Sequence, residues 1–193
     1  MHGNSSRESG SLSRDQAAAF VEYGRLLSLG DEAMVSQLEL VASNRELWLE
    51  THLTNCSCYF CDSGSWYDHD DDMSLWVGAY MYAMSLVLKP FVIQFWRNMG
   101  DTASWVADAA LSRRILLNRE KLTADCVIEA PEGGWRAKWE ISEAMFICAE
   151  IAVEDQGFEL HQLYEDVEGA HYACVVSKTE SSALERLAPW VEW

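Results

Sequence analysis

The chain has few of the residues that make linkers, and little positive charge. Its 193 residues include three Pro and eleven Gly, which leaves no room for a long flexible connector between separate domains. Fourteen Lys and Arg stand against 31 Asp and Glu, a formal charge of −17. Such a surface repels DNA, RNA and anionic lipid headgroups, so direct nucleic-acid binding is not expected. The first eleven residues hold no apolar run. No secretory signal is read there, and residues 1–12 are expected to form a frayed tail ahead of a single compact domain at 13–193. Catalytic signatures are also missing. The chain has no Gly-rich loop ending in Gly-Lys-Ser or Gly-Lys-Thr, no dinucleotide fingerprint and no His-Glu-x-x-His. A Gly-x-Ser-x-Gly elbow and the zinc-deaminase pattern are absent as well. A non-enzyme is therefore the expectation.

Apolar material, by contrast, is abundant. Hydrophobic residues make up 49% of the chain, with nine Trp, which is ample for a packed core. Met73 to Trp96 carries a single charge, Lys89. A membrane span needs about 20 apolar residues, and this stretch is interrupted by Lys89-Pro90 and Gln94. It reads as a buried core helix, and no membrane span is expected. Without an export signal the six Cys are expected to stay reduced in a cytoplasmic protein. Cys126, Cys148 and Cys174 lie in apolar stretches and read as buried free thiols.

The first half reads as helical. Ser13 stands three residues before Gln16, the spacing of a capping box, and apolar positions recur at Ala19, Phe20, Tyr23, Leu26 and Leu27. Gly30 is a stop, and Asp31 caps a second helix through Met34, Val35, Leu38 and Val41. Ser43 or Asn44 caps a third through Leu47, Trp48 and Leu53. Asn55 to Asp72 reads as a loop. Residues 73–88 are uncharged and suit a buried helix, which Pro90 breaks or kinks. A further helix is expected from Asp101 or Thr102 through Trp105 to about Arg119. The last third changes character, with a sub-boundary near 120–124. Cys126 to Ala130, the turn Pro131-Glu-Gly-Gly134, and Trp135 to Ile141 alternate with period two, a hairpin pattern. Ser142 to Val153 fits strand or helix equally. His171 to Val176 reads as a strand, and Ser181 to Leu187 as a short closing helix. The expected fold class is α+β, a mainly helical N-terminal part packed on a small antiparallel sheet from the C-terminal third.

The acids are unevenly spread. From Glu46 to Leu88 there are seven acids and no Lys or Arg. From Trp139 to Ser177 there are nine, again without a base: Glu140, Glu143, Glu150, Glu154, Asp155, Glu159, Glu165, Asp166 and Glu168. Bases concentrate between Lys89 and Lys138. If 140–155 is helical, Glu140, Glu143, Glu150 and Glu154 fall close to one side of it, a row comparable to backbone phosphates. Asp68, Asp70, Asp71 and Asp72 form the densest cluster. Their place before an apolar helix suits its dipole, and exposed they suit a partner's Arg pair. Trp66 and Tyr67 beside them fit interface anchors.

Cys56, Cys58 and Cys61, with His52 or His69 nearby, have the residue types of a Cys3His zinc site. No second paired cluster follows, so incidental thiols are the first reading and no cofactor is expected. Taken together, these features point to an acidic protein inhibitor. Its expected partner is a basic, nucleic-acid-binding protein whose binding surface it occludes. Anti-defence proteins of phages and mobile elements (anti-CRISPR or anti-restriction proteins acting by DNA mimicry) share this composition. Two alternatives stay open: an immunity protein neutralising a toxic nuclease, and a zinc-dependent or thiol enzyme. A homo-oligomer is left open too.

Overall fold

The computed structural model describes residues 12–45, 47–48, 51, 73–95, 102–125, 135–165 and 171–187. Helix α1 (Arg14–Leu27) opens with the expected capping box: the Gln16 N–H donates to Ser13 Oγ at 3.3 Å, and the Ser13 N–H to Gln16 Oε1 at 2.9 Å. It ends where Leu29 and Gly30 take left-handed conformations (φ 55° and 75°) and the Gly30 N–H returns to the Arg25 carbonyl at 2.9 Å. That pairing ties off a carbonyl the helix end would leave unsatisfied. Asp31 then caps α2 (Glu32–Ser43), its side chain accepting from the Met34 N–H at 3.0 Å. The two helices pack closely at Gly24, where a Cβ would overlap the Leu38 side chain. Asn44 caps the next helical residues, accepting from the Leu47 N–H at 3.1 Å, and Arg45, Leu47, Trp48 and Thr51 are helical.

The uncharged stretch forms helix α3 (Met73–Val87). It ends before Pro90, and the chain turns through Leu88 to Phe91. The helix thus ends within a residue of the expected 73–88, ahead of Pro90. Ile93–Phe95 is a strand, β1. Helix α4 (Thr102–Ser112) stops earlier than expected, at a left-handed Arg114 (φ 63°), and a separate helix α5 (Arg119–Asp125) follows.

The hairpin expected over 126–141 is corrected on its second arm. Trp135 to Glu154 is one helix of 20 residues, α6, while residues 126–134 lie outside those described. A seven-residue alternation also fits a helix, and here Met145, Phe146, Ala149, Ala152 and Val153 are buried at helical spacing and set the register. The open choice at 142–153 resolves the same way. Strands β2 (Phe158–Glu165) and β3 (His171–Ser177) follow, then helix α7 (Lys178–Leu187).

The sheet runs β1-β3-β2, antiparallel throughout. The architecture is α+β, with helices on both faces of this sheet. Along β3, Tyr172, Cys174 and Val176 join the core under α1, α2, α3 and α7. Ala173 and Val175 join the core under α4, α5 and α6. A central strand covered on both sides reads as an unbroken apolar run, which is why β3 was legible and the half-exposed β2 was not.

Candidate functional site

Helix α6 lies on one face of the sheet, held by Phe146, Ala149, Ala152 and Val153. Its opposite side carries Glu143, Ile147, Glu150, Ile151 and Glu154. At 3.6 residues per turn the three carboxylates share one stripe. Glu143 and Glu154 are exposed and Glu150 is partly so. Partial burial, and then the Glu154 carboxylate one turn on, push the Glu150 carboxyl above its ordinary value. The two bases of α5 are committed elsewhere. Lys121 reaches Asp155 at 3.3 Å, and Arg119 pairs with Asp108. Glu143, Glu150 and Glu154 have no ion-pair partner among the described residues.

The remaining acids of this segment do not all join the stripe. Glu140 is in the first turns of α6 and Glu165 ends β2. Asp155 sits just past α6, neutralised by Lys121. Glu159 is registered opposite Val176, which places it on the sheet face away from α6. Trp66, Tyr67, Asp68, Asp70, Asp71, Asp72, Asp166 and Glu168 lie outside the described residues. So do Cys56, Cys58, Cys61 and His69, and with them the candidate zinc site. Among the described residues no group of three metal-ligating side chains gathers, and no helix is long and apolar enough to cross a membrane.

A second polar constellation is internal. Tyr23 Oη lies 2.6 Å from His161 Nε2, and Cys174 is registered directly across from His161. Burial pushes the His161 imidazole down to about 4, against an opposing pull from Glu159 and with some help from Arg113. The ring is therefore neutral, and its Nε2 shares one hydrogen bond with the Tyr23 hydroxyl in the direction that the ring tautomer sets. Burial also pushes the Cys174 thiol up to about 12, Arg113 opposing, and raises the Tyr23 hydroxyl. A nucleophilic Cys needs the reverse shift, so Cys174 is a packing residue. Arg113, nearly fully buried, donates to the Leu27 carbonyl and to Glu180 Oε1, the latter at 2.9 Å. Glu180 also closes a capping box with Ser177 at the start of α7. His171 stacks on Phe146 with ring centroids 5.0 Å apart.

Elsewhere, an open groove of about 420 Å³ runs between α1 and α2, lined by Ala17, Ala18, Val21, Ala42, Ser43, Glu22 and Glu39. Its Ser43 hydroxyl donates to the Leu40 carbonyl at 3.0 Å and its Glu22 pairs with Arg25 at 3.4 Å.

No protein-family model, curated protein or solved structure matches this chain. The functional reading therefore rests on the molecule itself. Its strongest feature is the α6 stripe, which combines unpaired carboxylates with exposed Ile147 and Ile151 (43% and 54%). The two isoleucines were not readable as surface residues. Their spacing fits a core stripe as well as Met145 and Phe146 do, and only the sheet's position decides between them.

Proposed function

We propose that this protein is an acidic binding module that occupies the basic surface of a nucleic-acid-binding partner and so excludes the nucleic acid. The observation that carries the reading is the α6 stripe, three carboxylates on a helix anchored by its other side, with no cation spent on them among the described residues. A net charge of −17 supplies the long-range field that steers a basic partner to it. The chain rises about 1.5 Å per residue in a helix, so Glu143 to Glu154 spans about 17 Å. One DNA strand carries a phosphate about every 3.4 Å. The stripe resembles nucleic acid in sign and linearity, and is sparser in charge. Its carboxylates therefore set approach and register, and affinity has to come partly from apolar contacts.

Anti-CRISPR or anti-restriction action and neutralisation of a toxic nuclease ask for this same surface, and both work in the cytoplasm. The experiment is competition: immobilised nucleic-acid-binding proteins with basic clefts, labelled nucleic acid, and this chain as competitor across a salt series. Displacement that weakens about tenfold or more from 50 to 300 mM NaCl, and that the triple variant E143Q/E150Q/E154Q loses, supports the reading. Displacement indifferent to salt and to the variant refutes it.

A further inference from the structure

Eight large apolar side chains are exposed among the described residues. Five of them lie on one layer: Trp105 and Leu111 on α4, Leu116 after it, and Ile147 and Ile151 on α6. Helices α4 and α6 pack against each other and against the same strands. α4 is seated by small residues, Ala103, Ala107, Ala109 and Ala110 with Val106, and Trp105 leaves from the side turned away from them. Half of the Trp105 surface (51%) and most of Leu116 (80%) stay in water. Covering such side chains is favourable, and the fold leaves that gain unused. The charge on this layer is divided. On α4 the exposed Asp108 is already paired with Arg119, and Arg114, exposed two residues before Leu116, adds a cation, so α4 offers apolar side chains and no unpaired acid. On α6, Glu143, Glu150 and Glu154 have no ion-pair partner among the described residues, so that half is acidic.

That division selects the occupant. In a symmetric dimer the same patch meets itself, bringing Glu143, Glu150 and Glu154 near their copies. An anionic membrane surface meets the same repulsion. A basic surface satisfies the acidic half, and only one that also offers an apolar pocket covers Trp105. We propose that Trp105, flanked by Leu111 and Leu116, is the anchor of the interface, entering an apolar pocket whose rim carries the partner's Lys and Arg. This rests on the reading of the chain as a binder of basic surfaces, and it assigns the two halves different work. The carboxylates govern association and its salt dependence. The apolar side chains govern residence time.

Two fluorescent peptides of equal positive charge test it by anisotropy on the full chain, one an oligolysine and the other an amphipathic Leu/Lys helix. The wild type is expected to bind the Leu/Lys peptide at least about tenfold more tightly, a preference in the range of a single anchor side chain. The W105A and L116Q variants are expected to lose most of that preference while binding oligolysine unchanged. Both positions face solvent, so circular dichroism and Tm should match wild type. Equal affinity of the wild type for both peptides overturns the anchor, as does a preference that survives both substitutions. A dimer seen by light scattering and dissolved by W105A overturns it in favour of a second copy. Failure of the underlying reading has a separate signature: oligolysine binding by the wild type that is weak and does not respond to salt.

Discussion

Leu29 holds a left-handed backbone (φ 55°) at the end of α1 while its side chain remains exposed. A left-handed residue with a Cβ costs roughly 1–2 kcal/mol, which glycine avoids. Little packing is lost on truncating an exposed leucine, so Leu29→Gly should raise stability by about 0.5–1 kcal/mol, read from the denaturant midpoint. A lower midpoint would mean that the chain does not leave α1 by this turn. His161 gives a prediction with a pH axis. Its folded value of about 4 lies below the ordinary 6.5, so the unfolded chain takes up the proton first. This contribution to stability is intact above about pH 6.5 and is lost as pH falls towards 4. The groups around the ring are Tyr23 from α1, Cys174 from β3, Glu159 on its own strand, and Arg113. Tyr23→Phe removes the hydrogen-bond partner of Nε2 and should cost about 1–2 kcal/mol at neutral pH. His161→Gln should flatten the slope of unfolding free energy between pH 6.5 and 4, and an unchanged slope would assign the acid lability to another group.

At the scale of elements, Arg113 joins three helix ends, bonding the α1 carbonyl of Leu27 and the α7 carboxylate of Glu180 from the turn after α4. Glu180→Gln can keep the bond from the Ser177 N–H on its amide oxygen but then turns its NH2 toward Arg113, so it deletes both the countercharge and one acceptor of a buried guanidinium. With Glu180 about one-third exposed, solvent screens part of the loss, so about 1–3 kcal/mol is expected by chemical denaturation. A change within about 0.3 kcal/mol would show that backbone contacts alone hold Arg113. Which elements could be read from sequence follows the range of the forces that make them. Ser13 with Gln16, and Asp31 with Met34, act within four residues, and those helix starts were legible. The strand at Ile93–Phe95 exists only because it pairs with Ala173, Tyr172 and His171, some 80 residues away, and nothing local distinguishes it from the helix before it. Trp135 to Ile141 alternates like a strand, and is helical because it continues a helix whose buried stripe lies further on. The α6 carboxylates could be placed on one side once a helix was assumed. Trp105 could not be recognised as exposed, because the sheet that decides which face of α4 is covered comes from residues 93–95, 158–165 and 171–177.

For the whole molecule, charge opposes folding and favours binding, and salt separates the two. Glu143, Glu150 and Glu154 each lack a counter-ion among the described residues, and Glu150 is raised in part by Glu154. Like charges one turn apart cost a helix about 0.2–0.5 kcal/mol per pair, and a net −17 adds a diffuse self-repulsion. Both are screened over about 10 Å at 0.1 M salt and over less as salt rises. Unfolding free energy should therefore increase from 20 to 300 mM NaCl, while affinity for a basic partner should fall over the same range. The triple variant E143Q/E150Q/E154Q should resemble the wild type at high salt even when measured at low salt, with a raised Tm and weakened binding. Sodium sulfate stabilises proteins by exclusion from their surface, so sodium chloride, in which screening dominates, is the salt to use. A variant that gains stability but keeps full affinity would show that these carboxylates burden the fold without serving the interface, and would shift the binding role to acids elsewhere in the chain.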